Sequence, residues 1–353
     1  MSDKQQAITG CLLGTAVGDA LGLAGEGLSR RRLARVFPDL SQMHFLGHRG
    51  MVSDDTEHAC LLAQSLIETA GEPDAFGRAL ARRLRFWLLG GPAGIGWATL
   101  RSILKLWLGA SPERSGVWSA GNGPAMRSAL LGVCCKKDWT KLQTLVRASS
   151  RVTHTDPRAE AGALAVAVAA SLAASETEAA HLPNLYWRTI KPMLDESDLR
   201  TLLQKAVVSA QSEKATWLFA AAIGADKGVS GYVNQTVPVA VHAWLSHPSD
   251  YRSAVLAVIR CGGDTDTTAA IVGAIVGAAV GKDGIPADWL SALAEWPRTV
   301  NWMERLAEQL AEVQETKTLQ KPLELPLVPL LGRNFLFTVV VLTHGFRRLL
   351  PPY

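Results

Sequence analysis

An excess of charge of one sign, paired cysteines and long uncharged apolar runs are all missing from this sequence. Its 36 lysines and arginines nearly balance 32 aspartates and glutamates, leaving +4 over 353 residues. That charge is too mild, and too free of a sustained basic block, for a nucleic-acid protein, so no nucleic-acid partner is expected. The five cysteines, Cys11, Cys60, Cys134, Cys135 and Cys261, contain no Cys-x-x-Cys pair. They read as small buried side chains in a reducing compartment rather than as disulfides or a zinc site. No stretch reaches the roughly 18 uncharged apolar residues of a transmembrane span. Gly10–Gly25 could pass for a signal-peptide core, but Asp19 and several glycines interrupt it, and a single lysine, Lys4, lies upstream. A soluble, cytoplasmic protein is expected. With 48% hydrophobic residues the chain is also too apolar to be disordered.

Alternating strand-like runs are scarce, and repeats of 20–50 residues are absent. Ala- and Leu-rich stretches recur instead, at Ala59–Ala70, Phe76–Leu89, Ala159–Ala174, Arg200–Gly224, Tyr251–Val258 and Thr268–Gly281. They predict an all-α domain over residues 1–315 with short connections. Two glycine ladders, Gly10, Gly14, Gly18, Gly22 and Gly273, Gly277, Gly281, each fall on one helix face by their spacing of four. A helix-interior glycine costs about 1 kcal/mol against alanine, so each ladder needs a reason. Close crossing by neighbouring helices is one, and two helices gripping a shared site is another.

Composition shifts near Glu315, and residues 316–353 read as a Pro-rich, apolar appendage. It contains Phe335–Leu342, whose Val339-Val340-Val341 weakens helix preference. Docking on its own domain, outside any site, is the expectation. Peripheral membrane contact through Arg347 and Arg348, or pairing with another subunit, are the alternatives.

Two clusters carry the chemistry. Ser53-Asp54-Asp55-Thr56 and Gly262-Gly263-Asp264-Thr265-Asp266-Thr267 each place several hard oxygen donors ahead of a helical run. Helix capping explains one such residue per helix, not a row of them. Four carboxylates brought together repel unless cations or protons neutralise them. Carboxylates and hydroxyls without His or Cys suit Mg²⁺ or Mn²⁺, and two facing clusters can hold two ions. Glu26 is a further acid nearby in sequence, or a solvated loop residue. Asn122-Gly123-Pro124 reads either as a phosphate-binding helix start or as an ordinary junction. His154 is either a site residue or a turn histidine, and Tyr232 alone would read as a core aromatic. His58, His242 and most of the 11 tryptophans read as structural.

Taken in order, Gly10–Gly22, Ser53–Thr56, Gly121–Arg127, Thr153–Ala159, Gly231–Val233 and Gly262–Thr268 resemble the ADP-ribosylglycohydrolases. That group includes dinitrogenase-reductase-activating glycohydrolase and the ADP-ribosylarginine hydrolases. The resemblance implies a compact orthogonal multi-helix bundle. It implies that Ser53, Asp54, Asp55, Asp264, Asp266 and Thr267 ligate two Mg²⁺ or Mn²⁺ ions, with Glu26 close to them. It also implies that Asn122, Gly123, Met126, His154 and Tyr232 line a groove for ADP-ribose. The expected reaction is metal-dependent hydrolysis of the N-glycosidic bond of an ADP-ribosylated protein side chain, arginine first. Asp55 is the expected base for the water and Glu26 the alternate acid/base. ADP-ribose is the expected product, and a monomer the expected state. The alternatives are a binding or immunity protein that grips ADP-ribosylated targets or a transferase, and a hydrolase of free ADP-ribose derivatives or serine-linked ADP-ribose.

Overall fold

The N-terminal helix Asp3–Gly22 and the helix Thr265–Val280 lie antiparallel at the centre, backbone against backbone. A Cβ added at Gly10 would stand 2.0 Å from the carbonyl oxygen of Gly277, one at Gly14 2.1 Å from that of Gly273, and one at Gly22 2.3 Å from that of Thr265. No side chain fits at these positions, which is why the ladder glycines are tolerated inside helices. The antiparallel register has a functional result. It brings the C-terminal end of the first helix, with Asp19 and Gly22, to the N-terminal end of its partner, where Thr265 Oγ1 donates to the Gly22 carbonyl at 2.7 Å.

This computed structural model describes residues 2–175 and 178–347, and nineteen α-helices make up most of that chain. Both central helices are buried on nearly every side. Around them pack Asp54–Thr69, Pro157–Ala173, Val233–Ser246 and Val300–Thr316, among others, forming one hydrophobic core. The all-α reading holds, with one addition: Leu28–Ser29 pairs antiparallel with Gly262–Gly263.

Three helical expectations need adjustment. The expected Arg200–Gly224 helix is two, Asp198–Gln211 and Thr216–Ala222, broken where Glu213 takes a left-handed φ of 53°. Asp54 and Thr265 begin their helices, so Asp54, Asp55 and Asp266 lie in first helical turns rather than ahead of them, while Ser53 and Asp264 stay at the cap positions. The appendage forms a continuous helix, Leu327–Arg347, valines included. Branched side chains cost only tenths of a kcal/mol per residue, and docking overrides them.

That C-terminal helix also corrects two further expectations. By length and composition it and Asp3–Gly25 are both apolar enough to cross a membrane, although the apolar stretch of Asp3–Gly25 is buried within the protein. A few isolated charges, Arg333 and Asp19 among them, had broken these stretches in the sequence. The helix also docks beside the main cavity rather than away from it, because Phe337 and Val341 line that cavity. Arg348 lies outside the described residues.

Candidate metal and ligand site

The floor of the site is built from two helix starts. Ser53 caps the Asp54–Thr69 helix, its Oγ accepting from the Asp55 amide at 3.2 Å and donating to Asp55 Oδ2 at 3.1 Å. From the other helix, Thr267 Oγ1 donates to the same Oδ2 at 3.1 Å. Asp264 occupies the cap position of its helix but does not cap it. Its Oδ2 instead accepts from Asn122 Nδ2 at 2.7 Å. Gly262 and Gly263, both at positive φ, make that turn possible, and a Cβ at Gly263 would stand 2.0 Å from the Val229 carbonyl oxygen.

Ser53, Asp54, Asp264, Asp266, Thr267 and Glu26 line one cavity of about 750 Å³, within the usual size of a small-molecule site. Asp55 lies just behind this floor, 1% exposed. Burial, then the charges of Asp19, Asp54 and Asp264, hold the Asp55 carboxyl well above the usual range. Burial followed by Glu26, Asp264 and Asp55 does the same to Asp266, and burial followed by Asp19, Glu57 and Glu26 to Asp54.

Asp55 Oδ1 and Asp266 Oδ1 are buried with no hydrogen-bond partner. Crowded acids with unsatisfied oxygens are the condition a cation relieves, and an all-oxygen donor set suits a hard divalent ion. Among the described residues no three His, Cys, Asp or Glu side chains converge into a ready-made cage. Coordination here would need the Ser53 and Thr267 hydroxyls, and water or substrate, to complete it.

The opposite wall carries Ser119, Gly121, Asn122, Gly123, Met126 and His154. The His154 ring sits against two glycines, and a Cβ at Gly121 or Gly123 would come within 3.1 or 3.0 Å of it. Burial, then the charge of Arg127, lowers the His154 pKa to about 3, so the ring is neutral at neutral pH. Tyr232 stands slightly apart. Its ring is not part of the cavity lining, and its hydroxyl accepts from Arg158 Nη1 at 3.3 Å. Its neighbour Gly231 is in the lining and accepts from the Asn122 amide at 3.0 Å.

Three residues that position this site had no assigned role in the sequence analysis. Asp19, fully buried, accepts from the Ser53 amide at 2.9 Å, the Thr56 amide at 3.2 Å and Thr56 Oγ1 at 2.5 Å, so it fixes the turn that presents Asp54. An aspartate in an apolar glycine ladder was the available signal. Arg127, also buried, donates to the Gly123 carbonyl at 2.9 Å, the Ser149 carbonyl at 2.9 Å and Thr153 Oγ1 at 2.8 Å. It thereby ties the Asn122 loop to the His154 turn. Glu57, one helical turn beyond Asp54, meets Arg298 at 3.1 Å and Arg333 at 3.2 Å.

The chain is 30% identical over 326 residues to an uncharacterised protein of Archaeoglobus fulgidus, covering 88% of this chain and 97% of that one. It is 27% identical over 289 residues to the ADP-ribosyl-[dinitrogen reductase] glycohydrolase of Rhodospirillum rubrum, covering 80% and 89%. It is 29% identical over 327 residues to the ADP-ribosylarginine hydrolase Tri1 of Serratia proteamaculans, covering 88% and 80%. A solved ADP-ribosylglycohydrolase-related protein complex superposes with a TM-score of 0.69 at 28% identity, over 89% of this chain and all of that one. The ADP-ribosylglycohydrolase family model matches residues 1–320, a span that holds both acid clusters and the loop facing them. The chain is a member of the ADP-ribosylglycohydrolase family.

Proposed function

We propose that this protein hydrolyses the N-glycosidic bond between ADP-ribose and an arginine side chain of a modified protein, with two Mg²⁺ or Mn²⁺ ions bound at the acid floor. The observation that carries this reading is the meeting of the two acidic helix starts at the floor of the cavity, with Asp55 Oδ1 and Asp266 Oδ1 left unsatisfied. The arginine acceptor rests on similarity to the Serratia relative, an ADP-ribosylarginine hydrolase.

In the reaction, water adds to the anomeric carbon, the bond from that carbon to the guanidino nitrogen breaks, and the nitrogen takes up a proton. When bound, divalent ions supply polarisation of ribose hydroxyls and of the water, and they neutralise the acids. Ser53, Asp54, Asp55, Asp264, Asp266 and Thr267 would hold them. Burial behind the floor suits Asp55 to a ligand role. Glu26 is exposed within the cavity, which supports it as the group that moves the proton. Neutral His154 offers a ring nitrogen to ribose or diphosphate without adding charge. The carboxylates stabilise positive charge developing on the ribose. Five free, buried cysteines support our assignment to a reducing cytoplasm, where we take the protein to act as a monomer.

The test is release of ADP-ribose from arginine-, serine- and nucleic-acid-linked substrates, with Mg²⁺, with Mn²⁺ and with chelator. Metal-dependent release from the arginine linkage is expected. No release from any linkage with either metal would overturn the reading, and release from serine alone would replace the acceptor.

A further inference from the structure

We infer that Trp97 and Val341, backed by the buried Phe337, form an apolar subsite for the protein chain flanking the modified side chain, so that the C-terminal helix selects substrates. This rests on the function proposed above.

The cavity has walls of two kinds. Ser119, Asn122, His154, Lys227 and Ser230 present polar groups suited to a diphosphate and its riboses. Leu23, Ala93, Trp97, Phe337 and Val341 present almost none, although they share the cavity with Asp54, Asp266 and Glu26. The diphosphate and its riboses have little use for the second wall, and adenine stacked there would make loss of Trp97 weaken binding of ADP-ribose itself, an outcome the experiment below separates. The acceptor protein must occupy the space on the far side of the bond being broken, and an apolar residue beside the modified one suits it. Trp97 is 79% exposed at this cavity, the kind of aromatic that anchors a partner chain.

The helix that brings Phe337 and Val341 is firmly seated. Arg333 Nη2 donates to Glu295 at 2.9 Å and to the carbonyl of Val52, the residue before Ser53, while Arg333 Nη1 reaches Glu57 at 3.2 Å. Asn334 Nδ2 donates to the Gly90 carbonyl at 2.8 Å. Phe337 packs on Phe45 with ring centroids 5.2 Å apart. Arg333, Asn334 and Phe337 lie beyond residue 320, where the family match ends, while their partners lie within it. Phe337 and Val341 are therefore supplied to this wall by a segment outside the family match, and that segment is held against the metal-site loop.

The experiment compares two ADP-ribosylarginine peptides, one with leucine and one with serine beside the modified residue, on the full-length protein and on Val341→Asp. Trp97→Ser, at an exposed position, provides a second variant that does not threaten folding. The wild type is expected to prefer the leucine peptide by about tenfold in kcat/KM, mostly through KM. Each variant should bring that ratio close to one. Equal losses on both peptides, no wild-type preference, or a matching loss of affinity for ADP-ribose alone would overturn the subsite. If the wild type cleaves neither peptide, the proposed function fails. Calorimetric binding of the same two peptides then decides the subsite by the same ratio.

Discussion

Thr267 Oγ1 donates to Asp55 Oδ2 across 3.1 Å, although 212 residues separate the two. The bond joins the first turns of two helices, each with carboxylates that repel those of the other. Without a cation the arrangement is electrostatically loaded, and removing one charge should show it. We predict that Asp266→Asn raises the metal-free melting temperature, abolishes the further rise on adding Mg²⁺ or Mn²⁺, and lowers turnover by more than the roughly 10–100-fold contributed by outer partners of metal sites. Scanning calorimetry with and without metal, beside an ADP-ribose release assay, checks this. Near-wild-type turnover would sink the metal assignment.

The glycine contact should tolerate no side chain. In Gly14→Ala the new methyl would meet the Gly273 carbonyl oxygen at 2.1 Å, with backbone on both sides and nothing able to turn away. Overpacking of this kind costs about 1–3 kcal/mol and occasionally more, and here the upper end or outright misfolding is expected. Gly332→Ala in the C-terminal helix has open space and should be neutral or stabilising by up to ~1 kcal/mol. Urea denaturation of the two variants distinguishes them.

Arg333 is buried between two glutamates. Burial alone would raise the Glu57 carboxyl, but Arg298 and Arg333 hold it below its usual range, whereas the burial of Glu295 prevails and its carboxyl is raised. Arg333→Met should cost about 3–5 kcal/mol, the usual penalty for stranding a buried partner. Adding Glu295→Gln should recover part of that loss. Chemical denaturation of the single and double variants measures the coupling, and additive losses would mean that the ion pair contributes nothing specific.

A pH effect should come from His242, far from the acid floor. Its ring stacks on Phe219 with centroids 4.7 Å apart, and it bonds Thr216 at 3.2 Å and Ser209 at 3.1 Å. Burial, with a smaller contribution from His247, lowers its pKa to about 4. The unfolded chain takes up this proton near pH 6.5 while the folded chain refuses it, so stability falls as pH drops from about 6.5 towards 4. The loss reaches about 2 kcal/mol at pH 5. His242→Gln should lose correspondingly less over that interval in denaturant titrations, and parallel pH curves would refute the assignment.

The helical class and the two acid clusters were legible in the sequence because each rests on local signals, apolar periodicity and rows of oxygen donors, whereas the Asn122–His154 wall followed only from the family resemblance, its local signals fitting an ordinary junction equally well. What escaped depends on the tertiary arrangement. Asp19 gains its role only when the antiparallel helices set it beneath Ser53, and Arg127 only when its loop meets the Thr153 turn. The C-terminal helix was harder still. Its valines argue locally against a helix, and its anchor, Arg333, finds partners 276 and 38 residues away. No spacing rule reveals such pairings.

The central glycine contact also sets an order of events during synthesis. The first helix has no polar face of its own, and its partner emerges from the ribosome only after a separation of 243 residues, as measured from Gly22 to Thr265. At about 5–20 residues per second the delay is roughly 12–50 s. Throughout that interval an apolar segment waits without the surface it is shaped to meet. The site cannot assemble until the late helix arrives, so the nascent chain depends on chaperones or provisional contacts to keep its first 22 residues from aggregating.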